Sequence, residues 1–534
     1  MTPSDVLIRV ADPRRWQPAW VRDICIGIAL FLVAAAAAGT FAARSRVMPA
    51  GDTFNFIVMA DFLAQGTFPS DEKRLPLYSV LILLGRTFSD DPVAVARTIS
   101  VLAYMLTPVV LYAIGRRLKL ASLPFALLLF VGLVHPVLLG NGIRELADTT
   151  FLFLLSLANF CAVSVRKTRA WVVITGVIFA ALALTRYESM LALVVLLPLL
   201  RLRVPWRTVL AIGGVTILCM SPWLVLATKT FGKLWNPTYF RCLEDCGYGT
   251  RLRDMPSRVY SLLDITGWTT LWKHPAALQK DVREDPQQAV LPRLVKASSW
   301  WVSLFAVFGV LRLLLRRTRT ALPVLVSFAM VALAVAWWKL HGRFAVTSLL
   351  LYYFLVPAGA AAIWAIVRER VPWRVVRGAG LAALLALLVL LVREEFSGLY
   401  AGAVGRVFSY QGNGYALYQA TWALARESGD VVLRKDYPMA LAVFRLPSLT
   451  NFRAIFLEFG YPNTDPQQIA VSLADRRPVW VIVDDSELMK QLADVLRLRG
   501  VVTEERVYAA RHGLNGETEE RTVVLRLDWD RQKQ

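Results

Sequence analysis

GDTFNFIVMADFLAQGTFPSDEKRLPLY, residues 51–78, follows the first long apolar run and governs how the rest of the chain is read. A carboxylate, Asp52, opens a short amphipathic helix, and the acidic-then-basic turn Asp71-Glu72-Lys73-Arg74 interrupts it. Pro76-Leu77-Tyr78 then leads back into apolar sequence. A stretch of this kind between two apolar runs belongs at a membrane surface, and the chain on either side is built to hold it there.

Of 534 residues 56% are hydrophobic and 17 are Trp, and windows of about 20 apolar residues, the length a helix needs to cross a bilayer, recur along the chain. The fold expected is an α-helical polytopic membrane protein. A formal net charge of +21 would suit a nucleic-acid partner, but the basic residues sit in small clusters between apolar runs. They are read as topology signals with affinity for anionic lipid phosphates, and no nucleic acid is expected. Five Cys are too few for a disulfide scaffold, and Cys25, Cys161 and Cys219 lie in apolar runs as small hydrophobes. The first apolar run lacks a clear cleavage site and is expected to remain as a span.

Spans are expected at about 24–43, 98–115, 121–140, 149–165, 171–186, 188–200, 208–227, 296–315, 321–340, 349–367 and 379–393, about 11 in all. With the N-terminus in the cytoplasm, the clusters at Arg116-Arg117, Arg166-Lys167, Arg201 and Arg203, Arg316-Arg317 and Arg368 to Arg377 all fall inside. One span more or fewer would spoil that parity for every later cluster. The first loop (44–97), a long loop (229–294) and a C-terminal region (397–534) are then extracytoplasmic, beyond a transmembrane unit of residues 1–396. Residues 75–88, short and broken by Pro76 and Gly85, are expected to form a re-entrant or interfacial helix. In the C-terminal region Val431 to Leu433, Val479 to Val483 and Val523 to Leu527 read as strands, and a helix capped at Asp485-Ser486 runs to about Arg499 before Gly500. This is expected to be a small α/β domain.

Charges gather near the expected outer span ends: Asp52, Lys73, Arg74, Arg144, Glu145, Asp148, Arg186, Glu188, His341 and Arg343. Charges that cluster at membrane depth line a cavity or substrate path. One acid able to accept a proton and several cations able to hold a phosphate are what transfer from a phosphate-linked leaving group requires. No charged relay lies mid-span, against an ion-coupled transporter.

The ordered set Gly51-Asp52, Lys73 to Tyr78, Arg97, His135-Pro136 with Glu145, Leu184-Thr185-Arg186-Tyr187-Glu188 and Gly342-Arg343-Phe344 resembles membrane glycosyltransferases of the GT-C superfamily. The likeness is to the protein O-mannosyltransferase and aminoarabinose-transferase branch, over about residues 20–400. It implies inverting transfer of a sugar from a polyprenyl-phosphate donor to a hydroxyl of a glycan, lipid or protein, outside a bacterial inner membrane. It also implies Asp52 as general base and Lys73, Arg74 and Arg343 on the donor phosphate. Tyr78, Arg144, Glu145, Arg186, Glu188 and His341 are candidates for substrate contacts. Where family members carry a second acid after the Asp, this chain has Thr53, and Leu75 replaces the first Pro of the phosphate run. No cofactor is called for; a divalent metal is compatible with the chemistry but has no support in the sequence.

Each residue also has a plainer role. Asp52 is a good N-cap, Lys73 and Arg74 suit snorkelling anchors, and Arg186 with Glu188 suits a structural ion pair. Glu145 and Asp148 lie one turn apart and either share a face or end a solvated loop. His341 has no partner at metal-ligand spacing. Cys242 and Cys246 in the long loop either form a small disulfide loop or stay free. Two other functions fit the outline: a polysaccharide ligase or polymerase using lipid-diphosphate glycans, in which loop arginines would be essential, and a non-catalytic lipid-linked-glycan translocator, which would survive loss of Asp52.

Overall fold

The computed structural model describes residues 19–44, 51–68, 74–89, 91–120, 146–165, 168–232, 300–338, 346–370, 429–434, 452–457, 465–483, 487–512 and 518–531, with isolated positions within 125–142 and 416–427. The expected spans at 121–140 and 379–393 lie largely or wholly outside these residues.

Helix α1 (Ala19–Arg44) carries Arg22 and Asp23 in its first turns and is apolar from Ile24 to Ala38. Two shorter helices follow, α2 (Gly51–Ala64) and α3 (Leu77–Gly85). The nine residues of α3 reach about 14 Å, half of a bilayer's hydrocarbon core, so this element does not cross it. Helix α4 (Pro92–Arg117) has a strong start: Asp91 accepts from the backbone N–H groups of Val93 and Ala94 at 2.9 and 3.1 Å, and Pro92 occupies the first turn. Its last turn carries Arg116 and Arg117, cations at the negative end of the helix dipole. Helix α5 (Ala147–Val163), α6 (Arg169–Ala183, capped by Thr168), α7 (Glu188–Leu200) and α8 (Trp206–Phe231) follow, and Gly232 ends α8 at φ +67°.

Helix α9 (Trp300–Trp338) is two helical segments meeting at a kink: Arg317 (φ −142°, ψ 25°) leaves helical geometry within the basic cluster Arg316 to Arg319 that is expected to divide two apolar segments. Helix α10 (Val346–Arg370) packs along it through glycines. A Cβ at Gly309 would fall on the Leu355 carbonyl and one at Gly359 on the Phe305 carbonyl; with no side chain between them the backbones approach closely.

By length and composition α4, α8 and Val21–Gly39 of α1 are able to cross a membrane, while α5, α6, α7 and parts of α9 and α10 are apolar but shorter. Their main core is apolar, with Phe125 edge-on to Phe354 at 5.8 Å. One polar link crosses it: Ser327 Oγ donates to Asn159 Oδ1 at 2.8 Å, while the Asn159 amide donates to the Leu155 carbonyl. A second core at one end of the bundle packs Phe56, Met59 and Ala60 of α2, and Tyr78 and Ile82 of α3, against Val93, Ala96, Ala147, Tyr187 and Trp223. Residues 51–85 therefore form a packed layer on the helix ends.

The C-terminal part holds a five-stranded sheet ordered β2-β1-β3-β5-β4. Strands β1 (Gly429–Arg434), β2 (Phe452–Leu457) and β3 (Trp480–Val483) are parallel, while β5 (Thr518–Leu527) pairs antiparallel with β3 and with β4 (Val502–His512). Helix α11 (Pro466–Arg476) and the amphipathic α12 (Glu487–Leu498) cover it, burying Leu473, Met489, Leu492 and Leu496. Residues Asp485 and Ser486, the expected cap of α12, lie outside the described residues; Gly500, the expected stop, has φ +69°.

Candidate active site

Position 52 falls in the first turn of α2, which begins one residue earlier, at Gly51. One turn on, Asn55 shares its helical face. The Asn55 amide oxygen, turned toward Arg74, accepts from Nη2 and Nη1 at 3.1 and 3.3 Å. The Arg74 guanidinium also lies 5.6 Å from the centroid of the Phe56 ring. Residues 19 apart in sequence thus meet at the start of α2, one turn from position 52, where the backbone is described and the Asp52 side chain lies outside the described part of the structure.

Phe56 in turn stands edge-on to Tyr78, with centroids 4.9 Å apart. Tyr78 is fully buried. Its hydroxyl donates to the Ala96 carbonyl at 2.8 Å and lies 2.8 Å from Ser100 Oγ, which donates to the Leu146 carbonyl at 3.0 Å. The phenol is therefore engaged inside the protein, tying the 74–78 run to α4 and to the residue that precedes α5.

Arg186 sits in the turn between α6 and α7, partly buried. It donates through Nη1 to Asp148 and through Nη2 and Nε to Glu188 at 2.9 and 3.3 Å, and its guanidinium lies 5.8 Å from the Phe151 ring centroid. Two carboxylates, 7% and 8% exposed, hold this one cation from both sides. With Arg186 so engaged, the cluster acts as a rigid support, since breaking it would strand a buried charge. The expected pairing of Arg186 with Glu188 is present. Asp148, read in the sequence beside Glu145, is the second partner. Leu77 N–H donates to the Leu184 carbonyl at 3.0 Å, joining the Arg74 run to the Arg186 turn.

Two features of this end escape a reading of the sequence. Asp61 on α2 is buried and pairs with Arg86, just beyond α3. An acid inside the apolar run FIVMADFL was the available signal, because such a residue needs a buried partner. Phe68 also packs edge-on against Trp223 and Phe231 of α8, at 4.8 and 5.9 Å, clamping the end of the loop layer to the bundle. Lys73, Arg144, Glu145, Cys242, Cys246, His341 and Arg343 lie outside the described residues. Among the described residues no three His, Cys, Asp or Glu side chains gather as a metal site would need.

No protein-family model matches the sequence, and no curated protein matches it. The solved structures do. Crystal structures of ArnT from Cupriavidus metallidurans, one bound to undecaprenyl phosphate and one in the apo state, superpose with a TM-score of 0.52 at 13% and 12% identity. The superposition covers 95% of this chain and 97% of theirs. At that identity the likeness is one of fold, and it runs nearly end to end.

Proposed function

We propose that the chain is an integral-membrane glycosyltransferase of GT-C type that moves a sugar from a polyprenyl-phosphate donor to an acceptor hydroxyl. The observation that carries this is the meeting of Arg74 with Asn55 and Phe56, one turn from position 52 on α2, in a fold similar along its length to ArnT bound to undecaprenyl phosphate. Asp52 removes the acceptor hydroxyl proton as that oxygen attacks the anomeric carbon from the side opposite the phosphate. The carbon–phosphate-oxygen bond breaks with its electron pair going to phosphate oxygen, polyprenyl phosphate departs, and the anomeric configuration inverts. Arg74, with Lys73 and Arg343, stabilises the charge that grows on the departing phosphate. Arg144, Glu145 and His341 belong to the same loops and contact donor or acceptor. Tyr78 and the Asp148–Arg186–Glu188 cluster brace the site.

The transmembrane unit is residues 1–396, with about 11 spans and the N-terminus in the cytoplasm, and residues 397–534 form an extracytoplasmic α/β domain. The membrane is a bacterial inner membrane. A direct test supplies labelled polyprenyl-phosphate sugar and acceptors to proteoliposomes of the purified protein. Transfer with one polyprenyl phosphate released per sugar, and inversion seen by NMR, is expected. Release of a lipid diphosphate would mark a ligase or polymerase instead, and movement of uncleaved donor across the bilayer would mark a translocator.

A further inference from the structure

Helix α2 carries position 52, yet its apolar packing leaves open how it is turned about its own axis. Phe56, Ile57, Val58, Met59 and Ala60 are all buried, and five consecutive residues at about 100° each go right round a helix. One apolar stripe would seat α2 at a single angle. A helix apolar on every side is held in place without being held at one angle, because burial has no direction. The angle matters at the site. For a side chain about 6 Å from the helix axis, a roll of about 10° is a displacement of about 1 Å. A misplacement of that size slows a reaction by about 10²-fold.

Contacts with direction supply what burial leaves open. Near the start of α2, Asn55 accepts from Arg74. About 9 Å further along the axis Asp61 pairs with Arg86, the two side chains 6% and 33% exposed. Asp61 stands about two and a half turns from position 52, so it lies on the opposite side of α2. Its partner is carried on a seated part of the fold. The Arg86 N–H donates to the Ile82 carbonyl at 3.0 Å, and the preceding Gly85 lies so close to Val95 of α4 that a Cβ there would clash with it. Buried ion pairs are often no more stabilising than apolar side chains of the same size. What this pair adds is an angle.

We propose that Asp61 and Arg86 are positioning residues: their pair sets the roll of α2 and so aims Asp52 at the acceptor hydroxyl. The inference rests on the reading of Asp52 as general base, and the pair acts through Asp52 without touching donor or acceptor. The test variant is Asp61→Leu/Arg86→Met in the full-length protein, which replaces the pair by apolar side chains of similar volume. Its Tm in detergent should equal or exceed that of wild type. In proteoliposomes its kcat should fall roughly 10²-fold while KM for the polyprenyl-phosphate donor stays within about twofold. A second measurement needs no substrate. Spin labels at Ala64→Cys and Ala94→Cys, both exposed positions, are introduced after the five native Cys are replaced by Ala, and the distance between α2 and α4 is read by pulsed electron resonance. The distribution should broaden or shift by roughly 2 Å when the pair is replaced. An unchanged distribution or an unchanged kcat would overturn the proposal. So would a Tm that falls together with kcat, which would make the pair a structural brace. Wild-type protein that transfers no sugar would count against the glycosyltransferase reading, and the distances would still decide whether the pair sets the roll.

Discussion

The backbone N–H of Leu77 donates to the carbonyl of Leu184 at 3.0 Å, and this bond links two loops more than a hundred residues apart in sequence. On one side of it stands Arg74, held by Asn55 and Phe56; on the other stands Arg186, gripped by Asp148 and Glu188. The loop layer is thereby fixed to the bundle by short contacts on every side, which is how a reacting geometry is kept within fractions of an ångström.

Asn55 holds Arg74 without supplying charge. Asn55→Leu should keep the fold but release the guanidinium, raising KM for the polyprenyl-phosphate donor roughly tenfold with a smaller change in kcat, measured in proteoliposomes by steady-state transfer.

Removing the cation between two buried carboxylates should cost more than removing one acid. Arg186→Gln is expected to destabilise by about 3–5 kcal/mol, and pairing it with Asp148→Asn and Glu188→Gln should recover part of that loss. Thermal unfolding in detergent reads both.

Tyr78→Phe deletes a hydroxyl with two internal contacts, one to the Ala96 carbonyl and one to the buried Ser100 hydroxyl. A loss of about 1–3 kcal/mol is expected in the same unfolding assay.

At the contact of α9 with α10, Gly359→Ala places a methyl against the Phe305 backbone. Backbone cannot rotate out of the way, so the helices must separate, at a cost of about 1–3 kcal/mol. Gly213→Ala, at a position with open space, should cost far less.

In the sheet, a hydrogen bond from Arg506 holds the exposed Glu504 carboxyl below its ordinary range, aided by the charges of Arg506 and Arg526. A lowered folded-state value means the contribution is complete above the unfolded value, about 4.3, and fades as pH falls through the folded one. Hydrogen exchange across β4 and β5 should therefore quicken below about pH 4, and Glu504→Gln should flatten that dependence.

The parts legible in the sequence were those written locally. Helix α4 is legible as the apolar run 98–115 closed by Arg116-Arg117, though its Asp91-Pro92 start lies outside that reading, and β1, β3 and β5 each carry a short apolar stretch, Val431 to Leu433, Trp480 to Val483 and Val523 to Leu525. Strand β4 is less legible, because VTEERVYAARH is an edge strand with charges on it, and only its register with β5 makes it a strand. Helix α11 was missed despite the Asp465-Pro466 start, since its polar residues outweigh the three it buries. The basic cluster Arg316 to Arg319, read as the boundary between two apolar segments, coincides with the kink at Arg317 where the backbone leaves helical geometry. At the site, Arg186 and Glu188 could be paired from their spacing of two residues. Asp148, 38 residues from Arg186, and Arg86, 25 from Asp61, could not, because side-chain partners at that distance are set by how the helix ends meet.

The central claim is that Asp52 is the base. Transfer of labelled sugar by Asp52→Asn, compared with wild type in the same proteoliposomes, tests it most directly. The rate should fall by about 10²–10⁴ with donor binding retained, whereas transfer at the wild-type rate would contradict it.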